Sequence, residues 1–433
     1  MIPDNLQRFP DLHPAFDAPS ALVEANRCLY CFDAPCTAAC PTHIDVPRFI
    51  RKISTGNARG SARTILDANI LGLSCSRVCP VDVLCEGACV LHRYNKRPIE
   101  IGRLQRYALE SAPAVDLPPR APSVNFKVAC VGGGPASLSC GAELRRHGAS
   151  VTIFDNRPLP GGLNTYGVAE YKLRPVDSLR DVALVRSLGV EFRQATVGGD
   201  LALEELEREF DFLFIGVGLG AMERLGLAGE HLPGVIDALR FIERYKTQAD
   251  LQVGRTVIVI GGGNTAIDAA TAAVRLGAGG VHVFYRRSPE EMPAFSFEFE
   301  RAKLEGVRFH WMAQPVAIVE RDGRAGAVRF LRTTLGAPDS QGRRTPEAIP
   351  DSEYEVACDM VIPAVGQSRL TSLLHLEMDG GMIAVDRPTG RTSNPKYYAG
   401  GDCVNGGREV VDAVADGARA AWAMVNQGVG NHG

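Results

Sequence analysis

The stretch 127–141, KVACVGGGPASLSCG, decides how the rest of the chain is read. A short apolar run suited to a β-strand ends in Gly132, Gly133 and Gly134, and the small residues after them can open a helix. Such a strand, turn and helix offers backbone N–H groups and a helix N-terminus to a pyrophosphate, while glycine lets the ligand come close to the backbone. The third position of the G-x-G-x-x-G pattern is Ser137, and plain tight turns are also glycine-rich, so the turn does not decide the matter alone. The next run, Ser150 to Phe154, ends at Asp155, about 20 residues on, where a carboxylate can bind a ribose 2′-OH. A dinucleotide site with contacts at Gly132, Gly134, Pro135, Ala136 and Asp155 is the expectation.

The pattern then repeats. Thr256 to Ile260 is a β run leading into Gly261, Gly262, Gly263, Asn264, Thr265 and Ala266, a full G-x-G-x-x-A match opening an alanine-rich helix. The following run, Val281 to Tyr285, ends in Arg286 and Arg287 instead of an acid. A basic pair there can accept a 2′-phosphate; the bland reading is two solvated arginines. Two fingerprints about 130 residues apart form an internal repeat, and the expected class is α/β with two Rossmann-type dinucleotide-binding domains.

Other glycines belong to the same picture. Pro160, Gly161, Gly162 and Leu163 form a turn that is either a plain loop or backbone lying against the first cofactor. Residues 211–220, DFLFIGVGLG, are a buried run reaching Gly218, and 360–366, MVIPAVG, reach Gly366, where the chain is expected to return to the first dinucleotide domain. Tyr397 to Asp402, YYAGGD, precedes a small-residue helix over 409–425, so Gly401 and Asp402 are candidates for ribityl or phosphate groups. Polar, glycine-containing turns between Arg321 and Ser352 predict hairpins.

A chain of 433 residues exceeds one core, so two to three domains are expected. Apolar residues are 45%, charged residues 22%, and net charge is −3 without a Lys/Arg run, which argues against nucleic-acid or anionic-membrane partners. There is no apolar stretch long enough for a membrane span, and the N-terminus lacks the form of a signal peptide, so a cytoplasmic protein is expected. Eight of the twelve cysteines fall in two blocks. Cys28, Cys31, Cys36 and Cys40 read C-x2-C-x4-C-x3-C before Pro41; Cys75, Cys79, Cys85 and Cys89 read C-x3-C-x5-C-x3-C with Pro80 after Cys79. Two such runs, in which one cysteine of each ligates the other cluster, are the pattern of bacterial two-cluster ferredoxins, so spacing alone assigns all eight thiols to two [4Fe-4S] clusters. The competing readings are four-cysteine zinc sites, usually built from paired CxxC knuckles, and disulfides. Between the blocks, residues 46–66 have apolar residues at helical spacing and predict two helices. The Pro-rich stretch 112–122 closes this unit.

The layout resembles the glutamate-synthase small-subunit superfamily along essentially the whole chain. The resemblance rests on RCLYCFDAPCTAACPTHID, LGLSCSRVCPVDVLCEGACV, CVGGGPASLSC, PGGLNTYG, VIGGGNTAIDAA, YRRSPEEMPA and TSNPKYYAGGDCV. Within it, PIEIGRLQRYALE and GGLNTYGVAEYKL look most like the electron-input subunit of bacterial dihydropyrimidine dehydrogenase. The resemblance implies an α-helical ferredoxin-like domain over 1–120 with two [4Fe-4S] clusters, an FAD-binding domain over 121–235 and 365–433, and an NAD(P)H-binding domain over 236–364 inserted in it. It also implies that Cys28, Cys31, Cys36 and Cys89 hold one cluster, and Cys40, Cys79, Cys85 and Gln105 the other, leaving Cys75 spare. This differs from the spacing argument at one residue.

These cofactors imply a function. A nicotinamide gives two electrons at once, an iron–sulfur cluster takes one, and a flavin handles both, so hydride transfer runs between cofactors and no catalytic side chain is expected. The nucleotide-binding insert has no CxxC, which removes a dithiol relay; Cys130, Cys140, Cys358 and Cys403 are expected in cores or near the flavin. By resemblance, the electrons go to an FMN-containing partner chain that reduces uracil or thymine to the 5,6-dihydro base. The rivals are the small subunit of glutamate synthase, a ferredoxin:NADP oxidoreductase of the bifurcating type, and a non-enzymatic iron–sulfur scaffold. Arg286 and Arg287 favour NADP(H) physically, while the resemblance tilts NAD(P)H towards NADH.

Overall fold

The computed structural model describes residues 7–112, 114–248, 251–338, 342–369 and 375–430. The chain starts with helices α1 (Ala18–Ala25), α2 (Pro35–Ala38), α3 (Val46–Ser54), α4 (Ala58–Ala68), α5 (Gly72–Val78) and α6 (Ile101–Ser111). Local chemistry sets their starts. Asp17, Asp45 and Asn57 cap α1, α3 and α4 by accepting the N–H groups of Ser20, Arg48 and Gly60, which satisfies donors that a helix start leaves free. Val46, Phe49, Ile50 and Ile53 form one buried stripe of α3 and pack with Ile65, Leu104 and Ala108. These helices, α3 and α4, are the pair expected between the cysteine blocks.

The first α/β stretch runs β1 (Lys127–Val131), α7 (Pro135–Arg146), β2 (Ser150–Asp155), α8 (Leu163–Tyr166), α9 (Pro175–Ser187), β3 (Glu191–Gln194), α10 (Leu203–Glu209) and β4 (Phe212–Ile215). The second runs α11 (Ala238–Thr247), β5 (Thr256–Ile260), α12 (Asn264–Arg275), β6 (Gly280–Phe284), α13 (Ser296–Leu304) and β7 (Arg308–His310). Strands β8 (Ala313–Arg321), β9 (Arg324–Pro338), β10 (Arg344–Ala348), β11 (Tyr354–Ala357) and β12 (Met360–Pro363) follow. The chain ends with β13 (Met378–Asp379), β14 (Met382–Ile383), β15 (Tyr397–Ala399), α14 (Asp402–Asn405) and α15 (Val410–Gly430).

Two parallel sheets share one plan. The first has order β15-β4-β1-β2-β3 and the second β12-β5-β6-β7. In each, the glycine fingerprint follows an inner strand, and the edge strand beyond it comes from later in the chain. The central strands are continuous apolar runs, buried at nearly every residue, as sheets covered on both faces require. Strands β8 to β11 form a separate antiparallel sheet, the hairpins expected over 321–352. The fold is thus α/β with an N-terminal helical domain and two Rossmann-type sheets.

The chain divides into two compact units. One comprises Asp11–Thr165, Lys172–Leu219 and Arg369–Gly433; it holds helices α1 to α6 and the first sheet. Ile70 and Leu71 lie within the apolar core of that sheet. The buried Arg77 of α5 pairs with Asp11, Glu110 and Asp177 at 3.0, 2.9 and 3.1 Å, and the buried Asp181 of α9 accepts the Ser74 N–H at 2.8 Å. The cysteine-bearing helix α5 is therefore bolted to α9 by two acids one turn apart.

The other unit comprises Met1–Pro10, Tyr166–Tyr171 and Gly220–Ser368, so it reaches past the expected 236–364 at both ends. The reason is a short antiparallel ladder: Gly220 N–H donates to Ser368 O, Ser368 N–H to Ala221 O, and Glu223 N–H to Gly366 O, at 2.7 to 2.8 Å. Gly366 accordingly belongs here, and the chain leaves only after Ser368. The segment 166–171 is held by a buried polar knot. The Lys246 ammonium, 0% exposed, donates to Val168 O at 2.7 Å, and Asp268 of α12 accepts the Tyr171 hydroxyl at 2.9 Å.

Candidate cofactor sites

The first glycine loop is shaped by a backbone crossing. Gly132 has φ +94°, and a Cβ on it would lie 2.5 Å from Gly216 O, so only glycine fits. Gly134 caps α7, and a Cβ there would meet nothing within 4 Å. Open space at a helix N-terminus is what a pyrophosphate needs. Ser137, the departure from the fingerprint, is wholly buried, and a Cβ on Gly216 would meet its Oγ at 2.3 Å. Close helix-to-strand packing is preserved because the opposite residue is glycine. Ala136 is buried at the start of α7, beside Pro135 in the first turn.

Further pieces of the first unit gather on this loop. Asp155 ends β2, and its carboxylate accepts the N–H groups of Gly133 and Arg157 at 2.5 and 2.7 Å. Gly161 N–H donates to Gly133 O at 2.8 Å, and a Cβ on Gly162 would lie 2.9 Å from Gly134 Cα. The Pro160–Leu163 turn therefore sits on the fingerprint. Gly218 turns the chain after β4 with φ +67°. Gly401 N–H donates to Asp416 at 3.0 Å, and a Cβ on Gly401 would lie 3.1 Å from the Cβ of Ala136. Asp402 starts α14; burial, with Asp416 and Asp412 nearby, raises its carboxyl above the ordinary range. Asp416 was not legible in the sequence, because nothing in DAVADGARAA marks it as the holder of that turn.

The second loop is built alike. A Cβ on Gly261 would lie 2.3 Å from Ala364 O, and one on Gly263, the residue before α12, would meet nothing within 4 Å. Thr265 and the buried Ala266 follow in the first turn. Asn264 plays a structural part as well, since its Oδ1 accepts the Phe295 N–H at 3.0 Å. Ala294 N–H donates to Gly262 O at 3.2 Å, so the EMPAF segment is fastened to the glycine loop. Beyond β6, Arg286 is exposed and Arg287 buried. Burial and the neighbouring Arg287 and Arg343 depress the Arg286 guanidinium, while Arg287 Nε donates to Arg344 O at 2.9 Å. Neither forms an ion pair with a carboxylate among the described residues, so the basic field is uncompensated.

The eight clustered cysteines line two cavities. Cys28, Cys31, Cys36 and Cys89 meet in the first, with Leu29, Ile50 and Leu91. Cys40, Cys79, Cys85 and Gln105 meet in the second, together with Cys75. One cysteine of each block thus crosses to the other cavity. Gln105 donates from Nε2 to Gly72 O at 2.7 Å. Cys75 is almost fully buried, and its hydrogen bond with Cys79, followed by burial, pushes the Cys79 thiol up. Burial and then Cys28 push Cys36 up to about 12. Burial and then Glu86 raise Cys85. Thiols gathered in apolar surroundings ionise only when positive charge is brought among them, and an iron–sulfur core supplies that charge. The donor set fits such a core. No three His, Cys, Asp or Glu side chains among the described residues converge as ligands of a single metal ion.

Cys130, Cys140 and Cys403 are buried within the first unit and Cys358 within the second. The sequence reading missed Arg77, Asp177 and Asp181, although an arginine inside a cysteine run, SCSRVC, is a signal that a buried counter-charge must exist nearby.

Comparison with known proteins agrees with this geometry. A family described as dihydropyrimidine dehydrogenase domain II, 4Fe-4S cluster, matches residues 5–116, and pyridine nucleotide-disulphide oxidoreductase matches residues 126–417. The chain belongs to the pyridine nucleotide-disulphide oxidoreductase family and carries a 4Fe-4S domain ahead of it, which makes it an electron-transferring oxidoreductase subunit using iron–sulfur, FAD and NAD(P)H. Among its relatives, the glutamate synthase [NADPH] small chain of Escherichia coli is 35% identical over 442 residues, covering 96% of this chain and 93% of that one. The NAD-dependent dihydropyrimidine dehydrogenase subunit PreT of Escherichia coli is 34% identical over 419 residues, covering 96% of each. FprA of Mycobacterium tuberculosis in complex with NADPH has a TM-score of 0.58 at 20% identity, covering 71% of this chain and 85% of that one, a likeness of fold. No helix among the described residues is long and apolar enough to cross a membrane.

Proposed function

We propose that the chain is the electron-input subunit of a dihydropyrimidine dehydrogenase. It takes electrons from NAD(P)H and delivers them, by way of FAD and two [4Fe-4S] clusters, to an FMN-bearing partner chain that reduces uracil or thymine. Three domains divide the work: 1–120 for the clusters, 121–235 with 365–433 for FAD, and 236–364 for NAD(P)H, the last extended to 220–368 in the compact unit. When bound, the flavin converts a two-electron donor into single-electron steps.

The chain's own residues bind and orient. Gly132, Gly134, Pro135, Ala136, Gly161, Gly162, Leu163, Gly218, Gly401 and Asp402 would hold the flavin dinucleotide, with Asp155 at its ribose. Gly261, Gly263, Asn264, Thr265, Ala266 and Gly366 would hold the nicotinamide dinucleotide, with Arg286 and Arg287 at its adenosine end. Cys28, Cys31, Cys36 and Cys89 would ligate one cluster, and Cys40, Cys79, Cys85 and Gln105 the other.

The observation that supports the pyrimidine reading is Gln105, a buried amide that lines the second cavity beside Cys40, Cys75, Cys79 and Cys85, among apolar residues and the amide of Asn69. The likeness to glutamate synthase small chains supports a second reading, in which the same electrons serve glutamate synthesis. The test is anaerobic purification of the tagged chain from its own host, followed by assay of NADH and NADPH oxidation with uracil, then with glutamine plus 2-oxoglutarate. Uracil-dependent oxidation with a co-purifying FMN protein is expected. Oxidation only with glutamine and 2-oxoglutarate would move the chain to the second reading.

A further inference from the structure

The first thiol cavity has a wall that is also molecular surface. Leu29 lines it and is 53% exposed. Phe32, directly after Cys31 in the same loop, is 107% exposed. A phenylalanine standing clear of its own fold gains nothing from burial in the free chain, whereas an apolar patch with a polar rim is the form of a contact surface. The rim is basic. Cys89 and Leu91 line the cavity, and the six residues that follow, 92–97 (HRYNKR), are all exposed. Tyr94 among them is 63% exposed. Arg97 is committed to Glu24 and Glu100, but Arg93 and Lys96 make no ion pair among the described residues. Arg48, next to the cavity-lining Pro47, is exposed as well. The exposed acids are Asp33 on the loop and Asp45 beside the cavity-lining Val46, against Arg48, Arg93 and Lys96.

We propose that this face is the electron-exit surface, and that its partner is a redox protein with an acidic surface docking over Leu29, Phe32 and Tyr94. The proposal rests on the reading that the first cavity holds a cluster. A few apolar contacts make the centre of the patch, while charge sets the rate at which a partner finds it. A cluster held by Cys28, Cys31, Cys36 and Cys89 would give up one electron across this face, and an oxidised iron or flavin centre of the partner would gain it, with no bond formed or broken.

The test uses the full-length holoprotein, with rubredoxin as an acidic acceptor, cytochrome c as a basic one, and a neutral quinone that needs no docking. In Arg93→Glu/Lys96→Glu the second-order rate with rubredoxin at about 0.02 M salt is expected to fall about tenfold, the deficit vanishing near 0.5 M. The rate with cytochrome c should rise. Phe32→Ser should lose several-fold with rubredoxin at both salts, and quinone reduction should stay unchanged throughout. A charge variant as fast as wild type with rubredoxin at low salt overturns the proposal, and so does a wild type that reduces the quinone but neither protein. A wild type that contains no iron, or reduces nothing with NAD(P)H, removes the electron-transfer reading beneath it instead.

Discussion

Gly132 and Gly261 occupy the same place in two sheets, and each is pressed by a carbonyl from the neighbouring strand's loop, Gly216 in one and Ala364 in the other. Gly134 and Gly263 each face open space before a helix. Beyond the next strand the two diverge: the first ends in Asp155, whose carboxylate is tied to Gly133 N–H, and the second in Arg286 and Arg287, which pair with no carboxylate among the described residues. One scaffold thus carries opposite charge at the same strand end, and that charge is the variable part.

The comparison can be broken most sharply at the crossings. Gly132→Val meets both a positive φ and a backbone oxygen; we expect protein with at least about tenfold less bound flavin. Gly261→Val should keep its flavin and lose about a hundredfold in flavin reduction by NAD(P)H, read by stopped-flow absorbance. Equal flavin loss in both would mean that the loops do not divide the cofactors as proposed. The next effect tests the variable part. Arg286→Ala/Arg287→Ala should lower kcat/KM for NADPH by about tenfold to a hundredfold against NADH, since hydrogen bonds to a charged group contribute about 1.5–3 kcal/mol. Equal losses with both nucleotides would leave the arginines without a phosphate to bind.

Buried charge sharpens the contrast between the two units through pH. Burial raises Asp181 to about 7 and lowers Lys246 to about 7. For Asp181 the unfolded value is about 3.9, so the folded chain keeps a proton that the unfolded chain has released; its contribution falls as pH rises from about 4 to 7. For Lys246 the unfolded value is about 10.4, so between about 7 and 10.4 the unfolded chain holds the extra proton and the contribution rises with pH. Relative to wild type, Asp181→Asn should therefore gain stability from pH 5 to 7, by up to about 1.4 kcal/mol per pH unit, while the relative advantage of Lys246→Met should shrink from pH 7 to 9. Urea midpoints with slopes of the same sign would contradict this. The smallest effect should be shared: Asp45→Ala and Asp237→Ala each remove a helix cap and should each cost about 1 kcal/mol in the same titration.

The repeat was legible because its chemistry is backbone chemistry. Glycines at fixed offsets after an apolar run admit few geometries, and Thr256–Ile260 is a strand as read. The thiol grouping was legible only in part. Spacing gave two blocks of four, but which cysteine crosses to the other cavity depends on how α5 and α6 fold over the loops, and spacing could not separate Cys75 from Gln105; both line the second cavity. Domain edges were less legible still, because residues 220–223 and 366–368 look like linkers until they pair with each other. The buttress between α5 and α9 was legible from one side only: Arg77 lies inside the second cysteine block, whereas Asp177, a hundred positions on, lies in no motif.

The order of the strands also fixes an order of assembly. The second sheet draws β12-β5-β6-β7 from one continuous stretch, 256–363, so all its strands have left the ribosome before the chain is complete. The first sheet takes its edge strand from 397–399, and α15, which reaches residue 430, packs on α7 beneath the first fingerprint. Synthesis runs from the N-terminus, and a chain stalled or clipped before residue 397 therefore has every strand of the second sheet but an unfinished first sheet. With the cofactors divided as proposed, flavin content per chain would gauge how much of a preparation includes that edge strand and α15.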